Sequence, residues 1–128
     1  MRALLDTHAF LWWVSDDDRL TPRARDLIGE GVDEILFSVV TSWEIVVKAG
    51  LGRLQLAREP AGFVSEHLSK NSFTVLPVHL RHTLALADLP DHHRDPFDRM
   101  LIAQATAEGA PIISGDRALG GYSVTVIW

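Results

Sequence analysis

Cysteine is absent from this 128-residue chain. That removes disulfides, thiolate zinc sites and cysteine nucleophiles together. Lysine is almost absent as well, with only Lys48 and Lys70. No uninterrupted apolar run reaches the roughly 18 residues that a membrane-crossing helix needs. The acid at position 6 comes too early for the apolar region of a secretory signal. Positive charge is scarce: 12 Lys and Arg face 17 Asp and Glu, for a net charge of −5. Such a balance argues against a protein that coats nucleic acid without sequence preference, which would be basic. These absences lead to the expectation of a soluble, cytoplasmic protein with no membrane partner. The length suits one domain spanning 1–128, large enough to bury roughly two thirds of its unfolded surface without covalent staples.

What is present alternates between two periodicities. Short apolar runs at 2–5, 34–39, 73–78, 111–114 and 123–127 read as strands. Between them, 7–14, 22–31, 40–49, 60–70, 79–87 and 97–108 read as helices, with Thr21-Pro22 as a cap followed by proline and Gly109 as a stop. The segments 50–58 and 89–96 read as connections. Strands alternating with helices predict an α/β fold, a three-layer α/β/α sandwich around a mostly parallel sheet.

In such a sheet ligands bind beyond the carboxyl ends of the strands, and five acids fall there. Asp6 closes the first strand, and Glu44 lies early in the helix after the second. Asp95 and Asp98 open the helix that precedes the fourth strand, and Asp116 follows that strand. Each has a plain structural role available. Asp6 could cap its helix, Thr41-Ser42-Trp43-Glu44 fits a capping box, and Asp95-Pro96 is an N-cap followed by proline. Together they say more, because caps can equally be Ser, Thr or Asn, and gathered carboxylates repel unless a cation offsets them. An all-oxygen set without cysteine suits Mg²⁺ or Mn²⁺, and metal-assisted phosphodiester hydrolysis uses such a set.

The segments that carry these acids resemble one known family. Leu4-Leu5-Asp6-Thr7, Ser38-Val39-Val40-Thr41-Ser42-Trp43-Glu44, Asp95-Pro96-Phe97-Asp98-Arg99-Met100-Leu101-Ile102-Ala103-Gln104-Ala105 and Ile113-Ser114-Gly115-Asp116 are similar, in order and over nearly the whole chain, to the PIN-domain ribonucleases. The likeness is to the VapC toxins of type II toxin–antitoxin pairs in particular. The resemblance implies a Mg²⁺- or Mn²⁺-dependent endoribonuclease with an RNA substrate and a small antitoxin partner. By position, Asp6, Glu44, Asp98 and Asp116 match the family's acidic quartet, with Asp6, Asp98 and Asp116 as metal ligands. Asp95, Thr7 and Thr41 would then lie in an outer shell. Two positions depart from the family pattern: His8 stands where many members have Asn, and Ser114-Gly115-Asp116 replaces Thr-Arg-Asp. A PIN fold that binds RNA or protein while cutting weakly is the alternative.

Arg94 and Arg99 flank the acidic loop and are the expected RNA contacts. Lys48, four residues after Glu44, could instead form an ion pair with it. His92-His93 beside Asp95 lacks a third nitrogen ligand, so zinc is not expected. Trp12 and Trp13 are adjacent on a helix and point about 100° apart. If both are covered, two surfaces meet there, which suggests a homodimer or an antitoxin helix laid in a groove. A phosphoacceptor receiver domain would need paired acids after the first strand and a late lysine, and a haloacid-dehalogenase-like phosphatase would need Asp-x-Asp. Asp6-Thr7-His8 supplies neither.

Overall fold

Side chains on successive strand residues point to opposite faces, and in this chain that alternation sorts the apolar residues into two cores. The computed structural model describes residues 1–92 and 95–128. On one face of the sheet Ala3, Leu5, Ile35, Phe37 and Ile113 pack with Ala9, Phe10, Leu20, Ala24, Ile28, Ile45 and Phe63. On the other face Leu4, Leu36 and Ile112 pack with Val40, Leu76, Leu101, Ile102 and Ala105. Both faces of the strands are therefore apolar and both are covered, giving the expected three-layer α/β/α sandwich.

The strands β1 (Arg2–Leu5), β2 (Glu34–Ser38), β3 (Thr74–Leu76), β4 (Ile112–Ile113) and β5 (Val126–Ile127) form one sheet in the order β3-β2-β1-β4-β5. All four pairings are parallel, with Leu4 opposite both Leu36 and Ile112. β1 is central, and the chain builds outward from it first on one side and then on the other. The strand order reverses between β1 and β4, so the crevice of an open α/β sheet lies at the ends of those two strands.

The helices are α1 (Thr7–Val14), α2 (Pro22–Asp26), α3 (Val39–Gly50), α4 (Pro60–Asn71), α5 (Leu80–Ala85) and α6 (Pro96–Glu108). α2 continues through a π-helical turn at Leu27–Gly31, and a 3-10 turn follows α5 at Leu86–Asp88. Phe10 anchors the first core, its ring edge-on to Phe37 at 4.7 Å and near Phe63 and Phe73 at 6.4 and 6.3 Å. Gly109 ends α6 in the left-handed conformation (φ 62°), as its position suggested. One local expectation is corrected. α3 starts at Val39 with Ser38 as its cap, whose hydroxyl accepts from the Val40 N–H at 3.0 Å. Glu44 therefore sits in the second turn, too far along for a capping box at Thr41.

A buried polar chain joins the second face. The Ser38 hydroxyl donates to Gln104 Oε1, and Gln104 Nε2 donates to the Pro77 carbonyl at 3.3 Å. His82 Nδ1 accepts from the His79 N–H at 3.0 Å, which places the ring proton on Nε2, facing Glu108 at 3.0 Å. Arg81 also pairs with Glu108. The His82 ring first and Arg81 second hold the Glu108 carboxyl at about 2, below its usual value. A depressed carboxyl contributes stability above its unfolded value near 4.5 and loses it as the pH falls toward the folded one. Acid unfolding between pH 4.5 and 2 should thus be steep in the wild type and flatter in Glu108→Gln. Identical acid profiles of the two in circular dichroism would show that the chain does not act this way.

Candidate active site

Every strand that could supply an acid ends at the same edge of the sheet, and the first is the central one. Asp6 follows β1 directly. Its backbone N–H bonds to the Ile113 carbonyl at 3.1 Å, which fixes it beside Ser114 at the β1–β4 crevice. Its side chain caps α1 by accepting from the Ala9 N–H at 2.7 Å. The plain capping role is thus real, but it uses one carboxylate oxygen only. Asp6 is 7% exposed, and burial, the largest effect, raises its carboxyl pKa above the usual value. Hydrogen bonds from Ser114 and Ala9 and the nearby His8 oppose that rise, while the like charge of Asp116 adds to it.

Asp98 and Asp116 complete a cleft of about 350 Å³ whose lining is Asp6, His8, Trp12, Asp98, Gly115 and Asp116. Asp98 arrives through the geometry of α6. Asp95 Oδ1 accepts from the Phe97 and Asp98 N–H groups at 2.8 and 3.3 Å, and Pro96 opens the helix. Asp95 is therefore the cap and Asp98 the residue that faces the cleft. Asp116 caps the 3-10 turn Arg117–Gly121 through the Ala118 N–H at 3.0 Å, and its own N–H bonds to the Ser114 hydroxyl at 3.1 Å.

Glu44 is placed differently. It is 2% exposed at the side chain and paired with Lys48, as the i,i+4 spacing allowed. Its other oxygen accepts from the Thr7 hydroxyl at 2.7 Å, and Thr7 in turn meets Thr41 at 3.1 Å. Glu44 lines a second, larger cleft of about 880 Å³, together with Leu11, Trp12, Lys48, Arg53 and Phe63. His8 and Trp12 line both clefts and form the wall between them. The structure thus brings Asp6, Asp98 and Asp116 together and sets Glu44 one residue behind Asp6, with Thr7 between.

Among the described residues, no three acids or histidines gather tightly enough to enclose one ion unaided. Mg²⁺ commonly takes one or two carboxylates and keeps several waters. The buried Asp6 carboxylate, crowded by the charge of Asp116, fits an ion of that kind, and the oxygen-only cleft acids fit Mg²⁺ or Mn²⁺ better than zinc.

Of the other expected residues, neither Arg99 nor His92 lines this cleft, whereas Trp12 does. Arg99 donates to the Pro90 carbonyl at 2.9 Å and lies 3.8 Å from Asp91, bracing the loop before α6. Arg94 and His93 lie outside the described residues. His92 stacks edge-on against Tyr122 at 4.9 Å. Trp12 and Trp13 are each half-buried against the chain itself. Trp12 meets Trp128, and Trp13 Nε1 donates to Asn71 Oδ1 at 2.9 Å. Each ring of the pair thus has a contact within the chain, and neither is fully covered by it. Two groups at the site escaped the sequence reading, the Ser114 hydroxyl and the Trp128 ring. Ser114 carried a signal, a polar residue at the end of a strand facing Asp6.

The PIN domain model matches residues 3–123. The chain belongs to the PIN-domain family. Ribonuclease VapC22 of Mycobacterium tuberculosis is 29% identical to this PIN domain over 119 residues, covering 93% of the chain and 90% of that relative. Among solved structures, VapBC2 from Rickettsia felis bound to a DNA fragment from its promoter superposes with a TM-score of 0.73 at 13% identity, covering 99% and 98% of the two chains. FitAcB from Neisseria gonorrhoeae gives 0.66 at 17% identity, covering 98% and 96%. At those identities the structural likeness establishes the fold of the PIN domain. No helix among its described residues is long and apolar enough to cross a membrane.

The burial of Asp6 yields a prediction with a definite sign. A carboxyl whose folded pKa is raised costs stability at pH values above that pKa, and the cost fades as the pH falls and the group protonates in both states. In metal-free buffer at pH 7, Asp6→Asn should therefore melt a few degrees above the wild type, since the amide oxygen can still cap Ala9. Adding Mg²⁺ should raise the melting temperature of the wild type and leave Asp6→Asn unmoved. A wild type indifferent to Mg²⁺, or a destabilised Asp6→Asn, would contradict this account.

Proposed function

We propose that this PIN domain is a Mg²⁺- or Mn²⁺-dependent endoribonuclease, the toxin of a toxin–antitoxin pair, neutralised by a small cognate antitoxin. The observation that carries this reading is the convergence of Asp6, Asp98 and Asp116 on one cleft at the β1–β4 crevice. Similarity to the Mycobacterium tuberculosis ribonuclease supports it. A divalent ion held by these carboxylates would polarise the phosphoryl oxygen, activate a water and offset developing charge. The chain itself does the positioning. Ala9 and Ser114 fix the Asp6 carboxylate, and the Asp95 cap fixes the helix start that carries Asp98. Glu44, held by Thr7 and Lys48, backs the acidic cleft through Thr7, which also meets Thr41. Arg94 and Arg99 are the proposed phosphate contacts, Arg99 on release from its exposed partner Asp91.

The pairing of Glu44 with Lys48 favours one rival, a PIN fold that binds RNA and cuts it weakly. A single assay decides between the two. With total RNA and Mg²⁺, the wild type should release discrete fragments. EDTA should abolish them, and Asp98→Asn should slow their appearance by about 100-fold, the scale of losing one charge-stabilising group. A wild type that releases no fragments would refute the nuclease reading, and fragments that survive EDTA, or an Asp98→Asn variant as fast as the wild type, would refute the metal site.

Two protein partners are part of the proposal, and they take different faces. The antitoxin lies in the larger cleft, whose apolar wall of Leu11, Trp12, Val14 and Phe63 adjoins the acidic one. The similar fold in the Rickettsia felis VapBC2 structure supports a partner of this kind. A second copy of the chain covers exposed apolar side chains of α3 and α5, Trp43 (54% exposed) and Val46 on the one and Leu80 (73%) and Leu84 (63%) on the other. Sedimentation equilibrium checks both assignments. Leu84→Glu should reduce a wild-type dimer to a monomer that still binds its cognate antitoxin. A dimeric Leu84→Glu, or one that has lost the antitoxin, would show the faces to be misassigned.

A further inference from the structure

The acidic cleft has an aromatic wall that the proposed hydrolysis does not use. Trp12 sits on α1, less than two turns beyond Asp6, and lines the cleft alongside it. Behind it stands Trp128, ring centroids 5.7 Å apart and planes at 56°, while His8 approaches Trp12 from its own helix at 5.6 Å. The position of the Trp128 indole depends on Gly115, which also lines the cleft. A Cβ added at residue 115 would stand 2.8 Å from Cε2 and 2.9 Å from Cζ2 of that ring, closer than real Cβ atoms come. Gly115 is not among the glycines with positive φ, which are Gly52 and Gly109. Its backbone therefore does not demand glycine; the indole does. Arg19 lies over the Trp12 ring at 4.8 Å and lines the larger cleft but not the acidic one. It is itself held by Asp17.

A strand of RNA that enters an acidic cleft gains little from electrostatics on a chain of net charge −5. Stacking of bases on aromatic rings is the other sequence-tolerant source of single-strand affinity. Taking the cleft as the place of the scissile phosphate, we propose that Trp12, backed by Trp128, is a stacking wall for the nucleobase next to that phosphate in single-stranded RNA. Trp12 and Trp128 are then positioning residues, and Gly115 leaves the space in which Trp128 supports Trp12. This rests on the ribonuclease reading for the location of the phosphate, while the stacking itself can be measured without cleavage.

The test compares two probes of equal charge, fluorescein-labelled hexa-adenylate and an abasic sugar–phosphate hexamer. Binding is read by anisotropy with Ca²⁺ present to offset the carboxylates. The wild type should prefer hexa-adenylate by about 10-fold, the scale of one stacked base. Trp12→Leu should remove the preference, and Trp12→Phe should keep part of it. Gly115→Ala, which retains every aromatic ring, should reduce it by displacing the Trp128 indole. Because the readout is a ratio within each variant, a partly folded sample does not alter it. A wild type that binds both probes equally would overturn the wall, and so would a Trp12→Leu variant that keeps the preference. Cleavage of total RNA without base preference would sink the wall and leave the nuclease standing. Base preference without cleavage would do the reverse.

Discussion

A carboxylate buried at the end of the central strand is the constraint around which the rest of the site is arranged. Asp6 cannot leave that place, because its backbone continues the β1–β4 ladder and its side chain caps α1. Desolvation penalises its charge, and Asp116 adds repulsion. A fold that keeps such a group ionised must offset that penalty; hydrogen bonds do so in part, and the proposed divalent ion would supply the rest. Two hydrogen bonds are supplied, from Ala9 and Ser114. On the proposed function the other cleft acids would have a physical reason to be where they are, since an ion that offsets Asp6 needs further oxygen donors within reach.

The same constraint explains why the second helical layer is tied down by polar contacts where apolar ones would suffice for stability. Asp98 faces the cleft only if α6 is correctly placed along its axis, and apolar contacts tolerate sliding. The Ser38–Gln104 hydrogen bond joins α6 to the end of β2, and the His82–Glu108 contact joins its far end to α5. No buried side-chain polar atom among the described residues is left without a partner. A satisfied buried network of this kind fixes register, because a shift by one residue would leave several groups unpaired at once.

Much of this was legible in the sequence where the signal was local. The first strand and helix fall where the apolar run and Asp6 place them, and the α6 boundaries follow from Asp95-Pro96 and Gly109. The convergence of acids was legible because parallel topology brings the ends of strands to one edge. What escaped was long-range. β4 and β5 pair over two residues each, so the apolar runs at 111–114 and 123–127 overstate them. The start of α3 was misplaced because Thr41 and Glu44 offered a cap pattern that Ser38 had already superseded. The tryptophan pair suggested an outer surface because nothing in the sequence puts Asn71 or Trp128 beside it. Gly115 stood out only as a departure from the family pattern, and its reason became visible once a ring from the far end of the chain was found against it.

The acidic balance of the chain takes on a different meaning once the cations are located. Arg19, Arg25, Arg58, Lys70 and Arg81 are each engaged with a carboxylate of this chain. Exposed pairs of this kind are weak and can exchange, yet each exchange gives up part of what a phosphate contact would gain. Backbone attraction is therefore a poor source of affinity for this surface, and counterion release alone would hold RNA loosely. On the proposed ribonuclease reading, substrate selection would fall to the divalent ion, to arginines released from their carboxylate partners and to the faces of the aromatic rings. The rings distinguish a base from bare sugar–phosphate by stacking. Specificity in this fold should accordingly depend on the wall between the two clefts. Trp12 and His8 belong to both clefts, so a partner seated in the larger one would touch two residues that also line the smaller.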